Sequence, residues 1–97
     1  MIKSVDEAKY KLIPVFINYG ISKAVLFGSI AKGASTEKSD IDLYVDSDLK
    51  GLEFVGFIEA VREATGMQAD VFNKTHIKKD SLIDREIRST GVTIYEK

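Results

Sequence analysis

At 97 residues, with 44% hydrophobic and 30% charged content, the chain has the size and make-up of one small globular domain over residues 1–97. A formal charge of −1 gives no bulk attraction to nucleic acid or membrane, and the lack of cysteine excludes disulfides and thiolate zinc sites. Apolar runs shorter than the roughly 18 residues of a membrane span, and an N-terminus without a signal-peptide pattern, lead us to expect a cytoplasmic protein away from membranes.

Ser4-Val5-Asp6-Glu7 has the form of a capping box and predicts a helix that follows at once. Val5, Ala8, Leu12 and Phe16 keep an apolar stripe to about Tyr19, with Gly20 as the C-terminal cap. Pro14 inside this stretch predicts a kink or a division into two short helices. Residues 23–28 read as a first strand ending at Gly28, and Ser29–Lys32 as one helical turn closed by Gly33. Residues 34–38 are polar and connective. Ile41–Asp46 alternates, with Ile41, Leu43 and Val45 on one face and Asp40, Asp42 and Tyr44 on the other, which predicts a second strand. After a turn over 47–51, Leu52, Val55, Ile58 and Val61 mark a helix to about Thr65, capped by Gly66. Ala69–Asn73 follows as a third strand that places Asp70 and Phe72 on one face. Asp80 or Ser81 can cap a last helix carrying Leu82, Ile83 and Ile87 and ended by Gly91, before a fourth strand over Val92–Tyr95. This order predicts a small α/β domain: a mixed four-stranded sheet with helices packed on one side.

The chemistry concentrates in Gly28–Gly33 and Ser39–Val45. A glycine after a strand lets backbone approach a ligand, and N–H groups opening a helical turn attract phosphate. Ser29 adds a hydroxyl and Lys32 a cation to that turn, so it reads either as a triphosphate cradle or as an ordinary turn. Asp40 and Asp42, two apart in an extended segment, lie about 6.6 Å apart on one face. Ionised and unpaired they would repel, a cost that bound Mg²⁺ removes. The bland alternative has Asp40 capping the turn and Asp42 on a solvated face. With Asp70 as a third acid, the set suits two Mg²⁺ ions about 3.5 to 4 Å apart, the arrangement for in-line transfer with departure of pyrophosphate. Asp70 is the candidate general base.

Gly28-Ser29-x-Ala31-Lys32-Gly33 followed by Ser39-Asp40-Ile41-Asp42-Leu43 resembles the signature of the DNA polymerase beta nucleotidyltransferase superfamily, in particular its minimal nucleotidyltransferase (MNT) branch. Small proteins of that branch often serve as antitoxins to HEPN-domain toxins. The resemblance implies a polymerase beta-like fold, ATP as substrate, Gly28 and Ser29 on the nucleotide phosphates, and Asp40 and Asp42 on both metals. Asp70 would bind one metal and take the proton of the acceptor hydroxyl. Lys32 stands where the family often has arginine, and it keeps the charge without the planar fork that clamps phosphate oxygens.

The implied activity is Mg²⁺-dependent transfer of AMP to a tyrosine hydroxyl of a HEPN toxin in a hetero-oligomer, with the acceptor supplied by that second molecule and not by nucleic acid. The competing expectations are an antitoxin that neutralises by contact alone and a transferase acting on a small molecule such as an aminoglycoside. His76, the single histidine, reads as a solvated loop residue. Lys74, Lys78 and Lys79 read as a solvated charge run that could instead meet phosphate or an acidic partner. Tyr44 either approaches the nucleotide or packs under a helix, and Phe54 and Phe57 read as core.

Overall fold

The computed structural model describes residues 2–34, 36 and 39–97. Of the connective stretch expected over 34–38, residues 35, 37 and 38 lie outside the described residues. The elements run α1 (Val5–Asn18), β1 (Lys23–Phe27), β2 (Ile41–Asp46), α2 (Leu52–Thr65), β3 (Ala69–Asn73), a 3-10 turn (Lys74–His76), α3 (Leu82–Thr90) and β4 (Val92–Glu96).

α1 starts at its predicted cap: Ser4 Oγ accepts the Glu7 N–H at 3.1 Å. Glu7 reaches back one residue beyond the usual partner and accepts the Lys3 N–H at 3.2 Å. The break expected at Pro14 does not occur, since α1 is one helix through Asn18. Pro14 deprives the Tyr10 carbonyl of its helical donor, and both residues lie on the water-facing side, where solvent can satisfy that oxygen.

The sheet order is β3-β2-β1-β4, with β1 antiparallel to β2 and β4, and β2 parallel to β3. The period-two pattern of β2 sends Ile41, Leu43 and Val45 into the core beside Ala24, Leu26 and Ala69, all buried. α1 contributes Ala8, Leu12 and Phe16 to this core and α2 contributes Phe54, Phe57 and Val61. The Phe16 and Phe57 rings meet with centroids 6.2 Å apart. Burial of each such side chain stabilises the fold by about 1.5–3 kcal/mol, so this face holds the two long helices down.

The expected one-sided packing describes α1 and α2. α3 lies along the other face beside β1, where a side chain at Gly91 would come within 2.7 Å of Val25 Cγ1 and would strike the Ile87 carbonyl. Glycine at this position therefore serves close packing, and its φ of −67° is ordinary. None of the residues of α3 is fully buried. The sheet thus has a dry face under α1 and α2 and a half-open face that carries Asp42, Tyr44, Asp46, Asp70 and Phe72.

Candidate active site

β1 ends at Phe27, and the chain turns sharply at Gly28 with φ +78°. That sign favours glycine, and space demands it as well: a Cβ at Gly28 would fall on the Asp42 carboxylate, 3.1 Å from its Cγ. The following turn folds back through Lys32 N–H to Gly28 O at 3.1 Å and Ala34 N–H to Ser29 O at 2.9 Å. Ile30, 1% exposed, pins it to the core and so sets the place of half-buried Ser29. The Gly28 N–H itself donates to Thr90 Oγ1 at 3.2 Å. What Gly28 brings to the site is therefore its missing side chain rather than a free donor.

The ladders bring two of the three predicted acids side by side. Asp42 faces Phe27 across the antiparallel pair and Asp70 across the parallel pair. Asp40 lies just ahead of β2 and, like Asp70, is exposed, whereas Asp42 is half-buried. Phe27 packs its ring 6.1 Å from that of Phe72 and gives Asp42 an apolar flank. Burial first, then the charges of Asp70, Glu86 and Asp40, raise the Asp42 carboxyl from 3.8 to about 6.

Glu86 was not among the residues singled out in the sequence. It sits on α3 and pairs with Lys32 at 4.0 Å, so α3 adds an acid to the group and occupies the cation of the turn. Its spacing from Thr90, i and i+4, was readable as one helix face, but nothing in the sequence said that this face meets the turn.

The donor set of Asp40, Asp42 and Asp70 is all carboxylate oxygen, the chemistry that Mg²⁺ prefers, and the mutual repulsion at Asp42 is what a cation would relieve. Among the described residues no three such side chains already form a metal cage. The donors fit the ion in kind, and Asp40 and Asp70 would have to turn their side chains in to meet it.

Further along the same face, an open groove of about 440 Å³ is lined by Val25, Tyr44, Ile77 and Ile87 together with charged residues that include Lys74, Asp84 and Arg88. It starts two residues beyond Asp42 on β2 and includes none of the three acids. Tyr44 thus packs towards α3 rather than under α2, and burial, with Asp46 and Asp84 nearby, raises its phenol above the ordinary value. Phe54 and Phe57 are core, as expected. His76 is exposed, as expected, and has local partners: its Nδ1 accepts the Asn73 N–H at 3.2 Å and its ring meets Phe54 edge-on. Lys74 pairs with Asp46 at 3.7 Å. Among the described residues no helix is long and apolar enough to cross a membrane.

Comparison with known proteins agrees with this geometry. The family model described as polymerase beta, nucleotidyltransferase, matches residues 10–97. A protein of Methanocaldococcus jannaschii named as a candidate protein adenylyltransferase, MJ0435, is 30% identical over 87% of this chain and 96% of its own length. A second of the same organism and description, MJ1379, is 35% identical over 61% of this chain and 63% of its own. In fold, the chain resembles a toxin–antitoxin crystal structure with AMP-PNP, with a TM-score of 0.78 and 17% identity over 92% of this chain and 73% of that one. It also resembles the complex of a tri-AMPylated Shewanella oneidensis HEPN toxin with its MNT antitoxin, with a TM-score of 0.72 and 14% identity over 96% and 73%. The turn at Gly28, the paired strands that seat Asp42 against Asp70, and the family match over nearly the whole chain lead to one conclusion: this chain belongs to the polymerase beta nucleotidyltransferase family.

Proposed function

We propose that the chain is a Mg²⁺-dependent protein adenylyltransferase of the MNT antitoxin type, which moves AMP from ATP to a tyrosine hydroxyl of a HEPN-domain toxin. The observation that carries this reading is the seat of Asp42, pressed over Gly28, adjacent in register to Asp70 and destabilised as an anion by burial and then by its acidic neighbours. Support for the acceptor comes from the two relatives named for protein adenylyltransfer and from fold neighbours that contain AMP-PNP or an AMPylated HEPN toxin.

Asp40 and Asp42 would hold two Mg²⁺ ions and Asp70 one of them. Bound there, Mg²⁺ would supply Lewis-acid polarisation of phosphate oxygens and charge for the departing diphosphate. The residues of the chain do the rest. Ser29 receives the phosphates at the turn, and Lys32 joins them by leaving Glu86. Asp70 accepts the proton of the acceptor hydroxyl as its oxygen attacks the α-phosphorus. The bond to the β-phosphate breaks, the electron pair leaves with diphosphate, and AMP remains on the acceptor. The groove beyond Tyr44 gives an acceptor segment room to approach along the same face.

To test this, the chain is co-purified with the product of its neighbouring gene and supplied with ATP and Mg²⁺. The expected result is a partner heavier by whole AMP units in intact mass, with no gain when Asp42→Asn is used. A partner that is silenced but unmodified would establish neutralisation by contact. ATP turnover with no protein partner present would point to a small-molecule acceptor.

A further inference from the structure

α3 reaches the candidate catalytic turn at two points on one helical face. Glu86 meets Lys32 at 4.0 Å. One turn later, Thr90 Oγ1 accepts the Gly28 N–H at 3.2 Å while donating to the Glu86 carbonyl at 2.9 Å. A threonine hydroxyl near a helix end commonly bonds back to the i−4 carbonyl, and that bond fixes where its lone pairs point. Here a fixed lone pair takes a backbone N–H from a residue 62 positions away in the chain. The residue so held is the one whose Cα is covered by the Asp42 carboxylate, so any movement of Gly28 changes the distance between the turn and Asp42. Gly91 makes the contact possible, because a side chain there would lift the end of α3 off Val25.

We propose that Thr90 is a positioning residue for nucleotidyl transfer: its hydroxyl, set by the Glu86 carbonyl, anchors the Gly28 N–H and so holds the turn bearing Ser29 and Lys32 in register with Asp42. The role rests on the reading of that turn as the triphosphate site. Thr90 touches no reacting atom, and its effect passes through Gly28.

The test uses the full chain with Thr90→Val, which keeps the shape and removes the hydroxyl, and with Thr90→Ser, which restores the hydroxyl. Two quantities are read: amide exchange at Gly28 by NMR, and the Kd for ATP with Mg²⁺ by calorimetry. The valine variant should exchange Gly28 about tenfold faster or more, with the amides of Leu43 and Val45 unchanged. It should also bind ATP about tenfold more weakly, and serine should bring both values back to within about twofold of the parent. Thr90→Ala, which leaves space rather than filling it, must repeat the valine result. Unchanged exchange at Gly28 overturns the proposal, and so does faster exchange with ATP affinity left intact. If the parent chain binds no ATP yet valine still frees Gly28, the triphosphate reading fails while the anchor at Thr90 is upheld.

Discussion

At Gly28 two demands fall on one position: a backbone with φ +78° and a side-chain volume already taken by Asp42. The left-handed backbone costs an L side chain about 1–2 kcal/mol. The clash is the more serious fault, because the space is already filled by the Asp42 carboxylate. Gly28→Ala should therefore lower the denaturant midpoint modestly and reduce transfer by about a hundredfold, as a displacement near 1 Å at a reacting centre does. Intact-mass kinetics on the partner, beside a urea titration, measure the two effects separately. Loss of activity no greater than the loss of folded protein would show that Asp42 had simply moved aside. The sequence made Gly28, Asp40, Asp42 and Asp70 readable because strand alternation and a strand-ending glycine are local rules. Glu86 and Thr90 were not readable, since their part in the site depends on which face of the sheet α3 covers.

On the scale of elements, α3 differs from α1 and α2 in how it is held. The long helices are fixed by core side chains, whereas no residue of α3 is buried. Its order comes from its ends. Ser81 Oγ accepts the Asp84 N–H at 3.2 Å, Asp84 accepts the Asp80 N–H at 2.9 Å, and Arg88 joins Asp80 and Asp84 at 2.7 and 2.6 Å. The Asp80 N–H, then Arg88, hold the Asp84 carboxyl below its ordinary value. Removing a serine cap costs about 1 kcal/mol. Ser81→Ala should thus speed amide exchange throughout α3 and leave Leu12, Phe57 and Leu43 protected, because local opening need not involve the core. If exchange rises equally in α1 and α2, α3 is part of the global folding unit and is not separately held. The boundaries of α3 were legible from Ser81 and Gly91. Its side of the sheet was not, because its half-buried Ile83 and Ile87 would have served equally well against either face.

The whole molecule is organised around β2, which divides its residues between stability and chemistry. Leu43 points into the core and Asp42, next to it, into the site, so their substitutions should act in opposite directions on the protein without Mg²⁺. Leu43→Ala leaves a cavity and should cost about 2–5 kcal/mol. Asp42 has an ionised form that folding disfavours, with its carboxyl raised from 3.8 to about 6. Below the ordinary value both folded and unfolded chains are protonated, and the group costs nothing. Between 3.8 and about 6 the unfolded chain gives up its proton before the folded one, so folded stability falls as pH rises. Above about 6 both states are ionised and the penalty stays constant. Asp84, with its carboxyl lowered, works in the opposite sense but below the ordinary carboxylate range, so the two windows separate. Asp42→Asn should remove the loss between 3.8 and 6 and, at pH 7 without Mg²⁺, stabilise the fold. Allowing for solvent around a half-exposed side chain, the gain is about 1 kcal/mol, or some 4 °C in Tm. Excess Mg²⁺ should raise the Tm of the parent chain at pH 7 and leave that of Asp42→Asn nearly unchanged, because the variant keeps Asp40 and Asp70 but lacks the half-buried carboxylate between them that both ions would share. Thermal unfolding of the two proteins at pH 4.5 and 7, each with and without Mg²⁺, checks the whole scheme. A parent chain indifferent to Mg²⁺, or an asparagine variant less stable than its parent at pH 7, would show that Asp42 is not the strained acid of this face.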